Sequence, residues 1–156
     1  MKLLEYRLHD ELRDYPALYH YQIDPFEAAC RLSCEYFIKH GVTYRAVSSA
    51  YDLNQQSVIY CETEGVDHHF EDEQNYDRLT LEIRKFITRT HAPLMHSVQL
   101  EGHDEALWHL QSDFIYVPSI DHPGTFDEYK LWATELDEDR TAYVFYGKPT
   151  GNVLRR

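Results

Sequence analysis

The sequence predicts an α+β fold, a single domain with a mostly antiparallel sheet of about four to six strands and helices packed on one face. The chain has 156 residues, the size of one ordinary domain. Apolar residues make up 43% of it, including many Tyr and Phe, so a real core is expected. Predicted strands and helices do not alternate regularly, as a doubly wound parallel fold would require. The domain should cover residues 1–151, with residues 152–156 as a frayed tail.

The first predicted helix covers residues 24–40. Asp24 can cap it, Pro25 suits its first turn, and Glu27 completes a capping-box pattern. Apolar residues follow at i, i+3, i+4 and i+7 spacing, which forms one buried stripe. Gly41 is expected to end this helix.

After Gly41 the apolar period changes to two. Residues 42–47 and 57–62 are predicted strands, and residues 52–55 supply the residues of a turn between them. This segment therefore predicts an antiparallel hairpin.

The apolar residues of residues 77–89 fit both the spacing of a helix and the alternation of a strand. More of them fit the helical spacing, which favours a helix. Residues 94–100 are predicted to form a strand and residues 104–111 a short helix. The alternative for the second region is a hairpin over residues 94–110 that turns at Gly102, so residues 103–111 stay ambiguous.

The last third predicts a short strand at residues 114–117 and a loop at residues 118–124. A second capping-box pattern, Thr125 with Glu128, opens a predicted helix that reaches Leu136. Residues 141–146 form the last predicted strand.

The charge is strongly acidic, with 15 Lys and Arg against 27 Asp and Glu, a formal net charge of −12. This field repels phosphate and anionic lipid, so neither nucleic acid nor a membrane surface is an expected partner. Residues 46–77 hold eight acids and no Lys or Arg, and residues 101–139 hold eleven acids with Lys130 alone. The expected partner is therefore another protein of basic character. The sequence does not indicate the oligomeric state.

Three cysteines without a CxxC pattern are typical of reduced thiols. The N-terminus lacks the apolar region of a signal peptide, and no apolar run reaches the roughly 18 residues of a membrane span. The expected location is therefore the cytoplasm.

The densest group of potential ligands is the acidic stretch at residues 67–73. Imidazole and carboxylate groups there could hold a divalent metal. They are Asp67, His68, His69, Glu71 and Asp72. Adjacent histidines point apart in regular structure, and no glycine offers the sharp turn of a calcium loop. A solvated acidic loop is therefore favoured, and no cofactor is predicted.

Three tyrosines, Tyr15, Tyr19 and Tyr21, cluster in a predicted loop before the first helix. Tyrosine is favoured at recognition surfaces, but such a loop could equally cover the core as a lid. Both interpretations stay open.

The leading functional hypothesis is a non-catalytic protein-binding module, such as an adaptor, an inhibitor or an immunity-type partner. Motifs of the GxSxG, GxGxxG and P-loop types are missing from the sequence. The expected contact residues are the three tyrosines together with Glu71, Asp72 and Glu73. One alternative is a metal-dependent hydrolase that uses His, Asp and Glu from several loops. The other is a small-molecule binder lined by Tyr and Trp.

Overall fold

The protein is mostly sheet. The computed structural model describes residues 1–66 and 68–155. Within this described part, strand accounts for 55% and helix for 15%, and ten strands form one mixed sheet. The prediction of a mostly antiparallel sheet of four to six strands with helices on one face is therefore wrong.

The elements follow one another in a long series of strands interrupted by two helices. The strands are β1 (Lys2–Leu8), β2 (Ala17–Ile23), β3 (Tyr36–Lys39), β4 (Val42–Tyr51), β5 (Gln56–Val66), β6 (Thr80–Lys85), β7 (Leu94–Gln99), β8 (Phe114–Pro118), β9 (Thr125–Asp137) and β10 (Ala142–Arg155). The helices are α1 (Pro25–Ser33) and α2 (His103–Leu110), with short 3₁₀ turns at Glu11–Arg13 and Glu138–Arg140.

The sheet consists of antiparallel units that are joined by parallel pairs. Nine strands lie in the order β2-β1-β5-β4-β3-β9-β10-β6-β7, and β8 pairs with β9. Within the described residues, the parallel pairs are β1 with β5, β3 with β9 and β6 with β10. Each parallel pair connects units that are distant in sequence, and this arrangement makes the sheet both wide and mixed.

Helix α1 begins as predicted but ends early. The Asp24 side chain accepts hydrogen bonds from the backbone N–H groups of Phe26 (2.8 Å) and Glu27 (3.0 Å). The helix ends at Ser33 instead of residue 40, because the residues that follow form β3 and pair with β9. Gly41 does not end a helix; it lies in the two-residue turn between β3 and β4.

Two predicted helices are strands. Residues 77–89 contain β6, and residues 125–136 lie in β9. In β6, Leu81 and Ile83 face the apolar cluster while Glu82 and Arg84 lie on the other side, also buried. A strand that is buried on both sides lacks the clean alternation of a half-exposed strand, and its residues imitate a helical stripe.

The hairpin of β4 and β5 is confirmed, as are β7, the short helix α2 and the strand β8. The alternative hairpin over residues 94–110 is not formed. Strand β10 continues well beyond residue 146, and Val153 pairs with Asp127 of β9. Residues 152–155, which were expected in a frayed tail, therefore lie in the sheet.

The two faces of the sheet differ in chemistry. One face carries the apolar cluster, to which α1 contributes Ala28 and Cys30 and α2 contributes Ala106 and Leu110. All three cysteines are buried and free. The opposite face, called the polar face below, carries Glu82 and Arg84 on β6 and acidic residues on β9. In the part of the chain described, no helix is long and apolar enough to cross a membrane.

Candidate ligand-binding cleft

The polar face holds a network of buried charges. Glu82 and Arg84 are fully buried and Arg140 is 3% exposed. Arg140 donates to both carboxylate oxygens of Glu82 (2.9 Å each) and to Asp137 (2.8 Å). Arg84 donates to Glu82 as well (3.0 Å). These paired hydrogen bonds fix both guanidinium groups rigidly against the sheet.

The network stays ionised despite its burial. Burial opposes the charged form of Glu82, but hydrogen bonds from Arg140, Arg84 and Tyr76 outweigh it and hold its pKa below the ordinary 4.5. Burial also disfavours the charged form of Arg140, but Glu82 and Asp137 outweigh it and raise the pKa of the guanidinium. The polar face is therefore a fixed array of charges at neutral pH.

Residues 68–79, called the roof segment, fold back over the polar face. Asp72 accepts from Arg84 (2.7 Å) and from the backbone N–H of Leu94 (2.9 Å). The carbonyl of Gln74 accepts from Arg140 (2.9 Å), and the Tyr76 hydroxyl donates to Glu82. The roof segment is thus a mostly exposed loop that the two buried arginines anchor to the sheet.

A cleft of about 400 Å³ lies between the roof segment, the β6–β7 loop (residues 86–93) and the floor formed by β5, β4, β3, β9 and β10. Aromatic and charged side chains line most of it. The aromatic residues are Tyr36, Phe70, Phe86, Trp132 and Tyr146, and the charged residues are Glu64, Glu73, Arg89, Glu135, Asp137 and Arg140.

Trp132 and Phe86 form an aromatic wall of the cleft. Their rings stack with centroids 5.3 Å apart. Trp132 is the extra residue of a β-bulge, since Ala133 pairs with Tyr146 whereas Leu131 pairs with Gly147. A bulge redirects a side chain out of the regular alternation, and here it places the indole at the cleft. The Lys148 ammonium already lies 3.6 Å from the Trp132 ring centroid.

Glu135 supplies a nearly buried carboxylate on the floor. It is 7% exposed and accepts a hydrogen bond from the Tyr146 hydroxyl (3.1 Å). Burial and the nearby charge of Glu135 raise the pKa of Tyr146 well above its ordinary value, so the hydroxyl keeps its proton. Tyr36 lies opposite Glu135 in the register of β3 and β9 and lines the same cleft.

An ion pair links the two sides of the cleft. Arg89 of the β6–β7 loop donates to Glu64 of β5 (2.8 Å), and Arg45 donates to the other oxygen of Glu64 (3.1 Å). Arg89 is largely exposed, so this pair contributes little stability and can exchange for another cation at low cost.

The acidic residues that the sequence singled out have different roles. Glu73 lines the cleft and accepts from the Phe70 backbone N–H (3.1 Å), with the His69 imidazole 2.7 Å away. Asp72 is directed to Arg84, and Glu71 is exposed. The roof segment therefore brings one of the three predicted acids to the site.

Two of the three clustered tyrosines lie on a strand and Tyr15 lies in the loop before it, and none of the three lines the cleft. Tyr19 and Tyr21 lie on β2, at the edge of the sheet, and both pack partly against the apolar cluster. Tyr21 donates to Glu138, and Tyr15 packs edge-on against Tyr60 with centroids 5.4 Å apart. These contacts favour the interpretation that Tyr19 and Tyr21 cover the core.

The predicted metal ligands that the structure describes do not form a group with the spacing of a metal site. Asp67 lies outside the described residues. His68 lines the cleft and packs against Phe70, while Asp72 is held by Arg84. Among the residues the structure describes, the group with the spacing of metal ligands is instead Asp24, Glu27 and His103.

The residues that dominate the cleft were missed from the sequence. Glu135, Trp132 and Tyr146 belong to strands whose predicted boundaries or type were wrong. The available signal was the alternation of Ala133, Glu135 and Asp137, which is typical of one face of a strand. The capping-box pattern at Thr125 favoured a helix and concealed that alternation.

Comparisons with known proteins found no matching family model, no matching curated protein and no matching solved structure.

Proposed function

We propose that the protein is a binding protein whose cleft takes a cationic group, either an ammonium or a guanidinium. The observation that carries this proposal is the position of Glu135, a nearly buried carboxylate in a cleft walled by Trp132 and Phe86. The face of an aromatic ring carries partial negative charge and a carboxylate carries a full negative charge, so both attract cations. The two kinds of lining group therefore favour the same class of ligand.

The size of the cleft supports a compact ligand group. About 400 Å³ falls in the range of roughly 300–1,000 Å³ that is usual for small-molecule sites. The position of the Lys148 ammonium over the Trp132 ring supports a cation as the kind of group that this ring would contact. A cation over an aromatic ring contributes about 0.5–2 kcal/mol, depending on its desolvation.

An anionic ligand is disfavoured by the charges that line the cleft. Glu64, Glu73, Glu135 and Asp137 outnumber Arg89 and Arg140. Arg140 is engaged by Glu82 and Asp137, and Arg89 by Glu64. The same ion pairs engage Asp137 and Glu64, so four acids against two arginines leave the lining with a formal excess of two negative charges.

Two sources of the cationic group share this chemistry. One is a small organic amine. The other is an Arg or Lys side chain of a basic protein partner, which would keep the protein-binding hypothesis and move its contact residues to the cleft. The formal charge of −12 supports electrostatic attraction of either source.

The test is calorimetric titration with two probes, choline and a blocked Gly-Arg-Gly peptide. Choline is compared with its neutral isostere 3,3-dimethylbutan-1-ol, which has the same shape without the charge. We expect saturable binding of at least one charged probe. Preference for choline would indicate a small amine, and preference for the peptide a protein partner.

Glu135→Gln should weaken this binding at least tenfold, because the substitution removes the floor charge while keeping the side-chain shape. Glu71→Gln is the matched control, since Glu71 is an exposed acid of the roof segment that does not line the cleft. Equal affinities in the two variants, or equal binding of the neutral isostere, would contradict the proposal.

A further inference from the structure

A second cluster of chemically active side chains lies away from the cleft, where α1 meets α2. The carboxylates of Asp24 and Glu27 and the imidazole of His103 place their ligand atoms within 4.8 Å of one another. Asp24 and Glu27 belong to the start of α1, and His103 is the first residue of α2. The two helices are therefore joined at this point by groups that are all potential metal ligands.

We propose that Asp24, Glu27 and His103 form a site for a divalent first-row transition metal. The Glu27 Oε1 and His103 Nε2 atoms are 3.1 Å apart. An ion about 2.1 Å from both atoms would see them about 95° apart, near the roughly 90° of an octahedral site and below the roughly 109° of a tetrahedral one. Three protein ligands and water in the remaining positions would complete that geometry.

Asp24 and Glu27 keep their contacts within α1 and still have an oxygen for the ion, which would replace the present contact between Glu27 Oε1 and His103 Nε2. Asp24 uses a single oxygen, Oδ1, for both of its helix-capping hydrogen bonds. Glu27 gives Oε2 to Arg31 (3.0 Å), which leaves Oε1, the oxygen that faces His103. Loading the site would therefore break neither the cap nor the ion pair with Arg31.

An independent observation outside the cluster supports a ligand role for His103. Its Nδ1 lies 2.8 Å from the hydroxyl of Tyr143, which is fully buried. A tyrosine hydroxyl can donate or accept, so it can serve either tautomer of the imidazole. With Nδ1 protonated and donating to Tyr143, the Nε2 lone pair faces Glu27, as in metal sites whose histidine is oriented by an outer partner.

A mixed set of two carboxylates and one imidazole suits manganese, iron or zinc. The inference is independent of the cationic cleft, because no ligand of this site lines that cleft. The probe is therefore Mn²⁺ alone, added to protein purified without an affinity tag and stripped with a chelator. Binding is followed by electron paramagnetic resonance of free Mn²⁺, with Zn²⁺ competition as a second readout.

We expect one saturable site per chain, with affinity reduced at least tenfold in Asp24→Asn, Glu27→Gln and His103→Asn. Asn remains a good helix cap, so Asp24→Asn removes a charge without removing the fold of α1. Tyr143→Phe should weaken binding about tenfold or more, the usual effect of losing an outer partner. His109→Asn, on the same helix but outside the cluster, should bind as the wild type does.

The thermal melt supplies a separate measurement. Bound Mn²⁺ should raise the melting temperature of the wild type and of His109→Asn, and at the same Mn²⁺ concentration it should raise that of Asp24→Asn much less, because a ligand stabilises the folded state in proportion to how tightly it binds. Absence of saturable Mn²⁺ and Zn²⁺ binding would overturn the inference. Wild-type affinity in the correctly folded Asp24→Asn and Glu27→Gln variants would overturn it equally.

Discussion

At the scale of single residues, the central feature is that charged side chains are buried on a sheet face that would ordinarily be apolar. Glu82, Arg84 and Arg140 bind one another and also hold the roof segment through Asp72 and Gln74. A buried charge cluster stabilises little compared with apolar packing, but it is very sensitive to the loss of one partner. The cleft therefore depends on Glu82 and Arg84, which lie beneath it and are not among its lining residues.

Replacing Glu82 by Gln should destabilise the protein by about 3–5 kcal/mol at neutral pH, because two buried guanidinium groups lose their shared carboxylate. The folded-state pKa of Glu82 lies below 4.5, so its stabilisation is complete above that pH and is lost as the pH falls through the folded pKa. The difference in unfolding free energy between wild type and variant should thus shrink below about pH 4.5.

Urea denaturation at a series of pH values measures this difference. Glu71→Gln, which removes an exposed carboxylate of the roof segment, is the control and should change stability by less than about 0.5 kcal/mol. A gap between wild type and Glu82→Gln that stays constant down to acid pH would show that Glu82 does not act as a buried ionised carboxylate.

At the scale of elements, an antiparallel unit was predictable where its strands are neighbours in sequence and bury only one face. The sequence of β4 and β5 has a period-two pattern with turn residues between the strands, and the structure contains the antiparallel hairpin that this pattern predicts. The start of α1 was equally predictable from the sequence, because Asp24 is a residue type that caps helices and its side chain accepts hydrogen bonds from the first free N–H groups.

Strands with two buried faces were not predictable from local pattern. In β9, Leu136 joins the apolar cluster while Glu135 and Asp137 belong to the polar face, and all three are buried. Their burial depends on the parallel pairing of β3 with β9, which joins segments about a hundred residues apart. Local periodicity carries no information about such a contact. The sequence therefore did not predict β9, nor the residues of β9 that form the floor of the cleft.

The turn between β3 and β4 provides a test at this scale. His40 and Gly41 both have positive φ values (51° and 73°), and Lys39 pairs with Val42, which is the pattern of a two-residue hairpin turn. Gly41→Ala should cost about 1–2 kcal/mol, because an L-residue is strained there. The cost comes from the backbone alone, since a Cβ at Gly41 would meet no atom within 4 Å.

Gly41→Asn is the matched comparison, because asparagine tolerates this backbone conformation better than alanine does. Chemical denaturation should rank the wild type as most stable, then the Asn variant, then the Ala variant. Equal stability of the Ala variant and the wild type would argue that residues 39–42 do not form this turn.

At the scale of the whole molecule, the acidic field should act mainly on the rate at which a charged ligand arrives. If the blocked arginine peptide binds, its association rate constant should fall several-fold when NaCl rises from about 0.05 M to about 0.5 M, because screening shortens the range of attraction. Its dissociation rate constant should change much less, since contacts inside the cleft are screened less.

Stopped-flow fluorescence separates these two rates. The neutral isostere of choline, titrated over the same salt range, should show no such dependence of its association rate constant. An association rate constant for the peptide that is independent of salt would contradict long-range attraction by the chain's net charge of −12.

The most direct test of the proposed function uses Trp132 as a reporter. The chain has two tryptophans, and Trp108 on α2 does not line the cleft, so Trp108→Phe leaves Trp132 as the sole indole. Titrating this variant with choline should give a saturable change in fluorescence, whereas 3,3-dimethylbutan-1-ol should require at least tenfold higher concentration. Identical responses to the charged and neutral compounds, or an indole that responds to neither choline nor the blocked arginine peptide, would contradict a cation-binding cleft.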